Sequence, residues 1–74
     1  MARLPGEIDG RRFLRAMARF GWLVESQRGS HRKLRHEASR QVLIVAFHET
    51  IRRNAVRHIL RLAEISEQDF LREM

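Results

Sequence analysis

Cysteine and tyrosine are missing from this 74-residue chain, proline occurs once, and no apolar run exceeds the six residues 42–47. Without cysteine there is no disulfide framework, no thiol chemistry and no thiolate metal site. A run of six cannot cross a bilayer or serve as the core of a signal peptide, so a cytosolic protein without a membrane partner is expected. Aromatic residues make up only 7% of the chain, which leaves few surfaces for stacking. Acidic residues are scarce where basic ones are dense: residues 10–63 carry three acidic and thirteen basic side chains. A chain of this length buries only about 60% of its unfolded surface, which allows one thin core and no second domain.

The charge is distributed unevenly. Residues 10–63 sum to +10 and residues 64–74 to −3, within a net charge of +6. Fourteen of the fifteen cations are arginine, whose planar fork matches phosphate or carboxylate in bidentate fashion. Nucleic acid, an anionic membrane or an acidic protein are the partners such a surface suits. Membrane ranks last, because no segment has the continuous apolar face of a surface-lying helix.

Residues 1–8, with Pro5-Gly6, read as a loose N-terminal leader, and residues 9–74 as a single domain. Asp9 is a fair N-cap for a first helix over Gly10–Phe20. Phe13, Met17 and Phe20 fall at i, i+4 and i+7, with Leu14 and Ala16 widening the stripe. Gly21 stands where a left-handed helix stop is expected. Trp22–Gln27 reads as a strand, Arg28-Gly29 as a tight turn, and Ser30–Arg35 as the returning strand. His36–Arg40 is polar and loop-like. Gln41–Phe47, which contains the short, β-branched-rich run Val42–Val45, marks a third strand buried on both faces. Val56, Ile59, Leu60 and Ala63 form the stripe of a second helix, capped by Asn54 in preference to Thr50. Arg53, Arg57 and Arg61 recur along its other side as a basic ridge. Ser66 caps a short last helix anchored by Phe70 and Leu71. The order α-β-β-β-α plus a short C-terminal helix predicts a two-layer α+β domain.

On the returning strand, alternation sends His31, Lys33 and Arg35 to one face and Ser30, Arg32 and Leu34 to the other. With Leu34 in the core, an imidazole and two fixed cations share the open face. That combination suits a phosphodiester: cations hold the anion, and the imidazole moves a proton near neutral pH. A solvated basic strand is the plain alternative.

With these residues placed, the chain resembles the HicA-type (YcfA-like) toxins, small bacterial mRNA interferases with a double-stranded-RNA-binding-domain-like fold. Phe20-Gly21-Trp22 is similar to the family's helix-to-strand junction. Gly29-Ser30-His31 matches its signature, in which the histidine is catalytic, and Lys33 and Leu34 stand where a basic and a bulky apolar residue usually follow. Val45-Ala46-Phe47-His48 resembles a strand ending that usually reads Val-Pro-x-His, Ala55–Leu60 the second helix, and Ser66–Leu71 the tail. Departures are Ala46 for the usual proline, Asn54 where glycine is common, and Glu64 for a helix-ending glycine.

The resemblance implies a metal-independent endoribonuclease that cuts mRNA, and a HicB-type antitoxin as protein partner. His31 would be the proton carrier, with His48 the candidate for a second. Ser30, Lys33, Arg35 and the ridge Arg53, Arg57 and Arg61 would hold RNA, the ridge gripping phosphates without reading bases. His36 and His58 read as ordinary surface residues. The histidines have no carboxylate or cysteine companions at ligand spacing, so no metal site is expected. Rival readings are a non-catalytic RNA-binding module of the same fold and an interaction protein that docks an acidic partner.

Overall fold

The computed structural model describes residues 3–74. Its elements are β1 (Glu7–Asp9), α1 (Gly10–Arg19), β2 (Trp22–Arg28), β3 (His31–His36), β4 (Val42–Ala46), β5 (Thr50–Arg52), α2 (Arg53–Ala63) and α3 (Glu67–Arg72). Strands β2, β3 and β4 form an antiparallel sheet in that order, and β1 pairs with β5 in a second, two-stranded sheet. Phe13, Ala16 and Met17 of α1, Val56, Ile59 and Leu60 of α2, and Phe70 of α3 pack with Trp22, Leu34, Leu43 and Val45 from one face of the larger sheet. The other face is open. This is the two-layer α+β order expected from the pattern, and it is consistent with the double-stranded-RNA-binding-domain-like fold that the resemblance implies.

Helix α1 begins as the sequence indicates. The Asp9 carboxylate accepts from the Arg12 backbone N–H at 3.1 Å, and Gly21 at φ +86° carries the chain out of the helix. Helix α2 does not begin as expected. It starts at Arg53 behind Arg52, with no side-chain cap, and neither Asn54 nor Thr50 caps it. The Arg53 N–H instead donates to Gly6 O at 2.9 Å, so a long-range backbone bond does what a local cap would have done. At its other end Glu64 takes the left-handed conformation, φ 58°. Ile65 N–H reaches Leu60 O at 2.9 Å, the six-to-one bond of a Schellman stop, so this turn forms with glutamate in the place of glycine.

Two further expectations are corrected. The leader is not loose over residues 3–8: Leu4 is fully buried, Ile8 nearly so, and Glu7–Asp9 pairs with Thr50–Arg52. Met1 and Ala2 lie outside the described residues. Pairing across more than forty residues leaves no periodic trace in a three-residue strand, so only the packed structure reveals it. Strand β4 is not buried on both faces either. Leu43 and Val45 face the helices, whereas Val42, Ile44 and Ala46 are exposed, because the helices cover one side of the sheet only.

The β2–β3 hairpin holds the most consequential irregularity. From the Gly29-Ser30 turn the register runs Arg28↔His31, Gln27↔Arg32 and Ser26↔Lys33, then jumps to Val24↔Leu34. Glu25 is the extra residue of a β-bulge. An unbroken register would have placed Glu25 opposite Leu34 and turned Trp22 to the solvent, since one residue of slip exchanges the faces of a strand. With the bulge, Trp22 enters the core and Glu25 comes out onto the open face.

Candidate active site

The open face of the sheet is a small grid. Its rows are Leu23, Arg35 and Val42; Ser26, Lys33 and Ile44; and Arg28, His31 and Ala46. The side-chain alternation expected for β3 is therefore present: His31, Lys33 and Arg35 share this face, and Leu34 is fully buried on the other. Gly29, at φ +59°, supplies the left-handed turn that starts β3. His31 is exposed and lines a shallow depression of about 420 Å³ with Ser26, Gln27, Arg28, Lys33 and Ile44.

Glu25 is the site residue that the sequence did not announce. Its carboxylate accepts from Arg35 Nε at 2.7 Å and Nη2 at 3.2 Å and lies 3.3 Å from Lys33 Nζ. Bidentate hydrogen bonding to Arg35, then the bond from Lys33, hold its pKa down at about 2, against burial acting the other way. Arg35 is in turn pushed up by Glu25 and also donates to Arg40 O at 3.0 Å. The two cations beside His31 are thus partly neutralised by an internal carboxylate, while Arg28 makes no side-chain ion pair among the described residues. Local alternation could not find Glu25, because the bulge that exposes it breaks that alternation.

Arg32, on the inner face, braces the end of the sheet. Its guanidinium lies 3.9 Å from the Phe47 ring centroid and donates from Nη1 to Ser30 O at 3.0 Å and to Phe47 O. Those carbonyls belong to the residues just before His31 and His48. Ser30 contributes through that carbonyl, which also accepts from Phe47 N–H at 3.0 Å.

His48 is exposed on the bend after β4 and lines a neighbouring depression of about 540 Å³ with Asp9, Arg11, Leu14, Gln27, Arg32, Phe47 and Glu49. The two histidines do not share a depression; Gln27 is the residue common to both. His36 is not the ordinary surface residue of a loop. It ends β3, donates from Nε2 to Phe20 O at 2.9 Å and accepts at Nδ1 from Ala38 and Ser39 N–H. The backbone donors at Nδ1 assign the proton to Nε2, and the ring packs edge-on against Trp22.

The α2 ridge is largely engaged inside the molecule. Arg53 Nε donates to Leu4 O at 2.9 Å and Pro5 O at 3.3 Å, and Arg57 Nε pairs with Glu67 at 3.2 Å. Arg61 alone of the three is exposed and makes no ion pair among the described residues. Among the described residues, no three His, Asp or Glu side chains converge as metal ligands, and no helix is long and apolar enough to cross a membrane.

No curated protein and no solved structure matches the chain. A family model does, described as the HicA toxin of bacterial toxin–antitoxin systems, over residues 10–65. The matched span begins at the first residue of α1, takes in the hairpin that carries His31 and β4, and closes on the Schellman turn after α2. It covers well over half of the chain, which therefore belongs to the HicA family of toxins from bacterial toxin–antitoxin systems.

Proposed function

We propose that this toxin is an endoribonuclease that cleaves mRNA without a metal ion, with His31 as the proton carrier. The observation that carries the reading is an exposed imidazole on an open sheet face, set between Arg28 and Lys33 in a depression that a phosphodiester can enter. RNA brings its own nucleophile, the 2′-hydroxyl beside each phosphate. His31 takes the 2′-hydroxyl proton as the oxygen attacks phosphorus, the P–O5′ bond breaks, and a proton passes to the departing 5′-oxygen. The products are a 2′,3′-cyclic phosphate and a free 5′-hydroxyl. Arg28 and Lys33 offset the charge that gathers on the phosphoryl oxygens, with Arg35 behind them. His48 is the candidate donor to the 5′-oxygen, and it serves if the RNA spans both depressions.

The family supports a protein partner, and the chemistry of the face suits an acidic antitoxin of the HicB type. Such an antitoxin would cover the grid around His31 and exclude RNA from it. Two observations favour the non-catalytic RNA-binding module instead: Glu25 already pairs with Lys33 and Arg35, and a second proton carrier does not stand beside the first.

Incubation of purified protein and its His31→Ala variant with long RNA, with and without EDTA, separates the readings. The parent should cleave in both conditions. The variant should fold and bind RNA, yet cleave about 10²–10⁴ times more slowly, the usual contribution of a positioned acid or base. Equal cleavage by two folded proteins removes His31 from the chemistry, and no cleavage by either leaves the binding module.

A further inference from the structure

Of the described arginines whose side chains make no ion pair, three stand together on helix α1. Helix α1 carries Arg11, Arg15 and Arg19 at intervals of four residues, with Arg12 beside them, and no acidic residue. Successive arginines in that row stand about 6 Å apart along the axis. The side chains of Arg11, Arg12 and Arg15 are exposed and make no hydrogen bond or ion pair among the described residues. Arg19 has only a 3.9 Å contact with Glu73, with its side chain 72% exposed. This contrasts with α2, where Arg53 and Arg57 are held by Leu4, Pro5 and Glu67.

The row is also connected to His31. Arg12, Arg15 and Arg19 line a depression of about 360 Å³ with Glu73 and Met74. Arg11, one turn before Arg15, lines the His48 depression, and Gln27 on the edge strand β2 joins that depression to the one holding His31. Acidic groups stand at the rims. Asp9 is occupied by the Arg12 N–H that it caps, while Glu49 and Glu73 disfavour a phosphate at their own positions. The arginine tips along α1 therefore remain available to a polyanion, and Gln27 stands between the depression that Arg11 lines and the one that holds His31.

We propose that the exposed face of α1, through Arg11, Arg12, Arg15 and Arg19, is the track that holds the phosphodiester backbone of single-stranded RNA leading to His31, in place of the α2 ridge. This rests on the reading of RNA as substrate. The contacts fall on phosphates, so the track binds all sequences alike and leaves selection to the sheet face.

The test uses a fluorescein-labelled 2′-O-methyl oligouridine of twenty nucleotides, which lacks the attacking hydroxyl and reports binding whether or not the protein cleaves. Its affinity is followed by anisotropy between 50 and 200 mM salt for the parent, for Arg11→Gln/Arg15→Gln and for Arg57→Gln/Arg61→Gln, with circular dichroism confirming folding. Each lost phosphate contact flattens the log–log salt slope by about 0.7. The α1 pair should flatten it by about 1.4, so the parent's affinity falls about 7-fold more over this range than the pair's. The α2 pair should lose no more than one contact, from Arg61. A parent slope that the α1 pair leaves unchanged, or a larger loss from the α2 pair, overturns the track while RNA binding stands. No binding by the parent overturns the track and the RNA reading together.

Discussion

Replacing Arg32 by methionine tests whether the two segments that carry His31 and His48 are held by one side chain. Methionine keeps an unbranched stem over Phe47 and removes the guanidinium. The loss comprises a cation–π contact at 3.9 Å, worth about 0.5–2 kcal/mol when partly desolvated. It also includes charge-assisted hydrogen bonds to Ser30 O and Phe47 O, each about 1.5–3 kcal/mol. Two facts reduce the sum. Ser30 O keeps the Phe47 N–H and is not orphaned. Arg32 Nε is buried without a partner, a penalty of about 1–3 kcal/mol that the substitution relieves. The net is a destabilisation of about 2–4 kcal/mol, which in a domain of this size lowers Tm by about 8–32 °C. Thermal melts followed by circular dichroism at neutral pH read this directly. Arg32→Lys should recover only part of the loss, because an ammonium can donate to both carbonyls as Nη1 does but has no planar face to stack on Phe47. A Tm for Arg32→Met within 3 °C or so of the parent, against the shift expected, would refute the brace.

Glu25→Gln should change the acid response. The folded carboxyl titrates near 2 against an ordinary 4.5, so its pairing contributes stability that is present above about pH 4.5 and is lost as pH falls toward 2. The variant should lack that part of the acid sensitivity in melts between pH 2 and 6, and identical profiles would remove Glu25 from the account. Freed of their internal partner, Lys33 and Arg35 should also steepen the salt dependence of RNA binding by up to about 1.4. Gly10→Ala should destabilise by about 1–3 kcal/mol although alanine favours helix by about 1, because a Cβ there overlaps the Phe47 ring. A more stable variant in denaturant titration would show that the ring moves aside freely.

The sequence determines those features whose physics is local. The apolar stripes of α1 and α2, the Asp9 and Ser66 caps, the stop at Gly21 and the alternation of β3 each depend on residues within a turn or two of one another. The fold class and the shared face of His31, Lys33 and Arg35 followed from them. The tertiary structure decided what depends on distant partners. Leu4 and Ile8 fill the core, and β1 finds β5, only because the chain returns to them after more than forty residues; the same contact starts α2 without a cap. The Glu25 bulge is a single unpaired residue, and it alone settles that Trp22 faces inward and a carboxylate faces Lys33 and Arg35. Nor could charge counting tell engaged arginines from available ones. Arg53 and Arg57 look as free in sequence as Arg11 and Arg15, and differ only because folding brings carbonyls and Glu67 to the first pair and leaves the second in water.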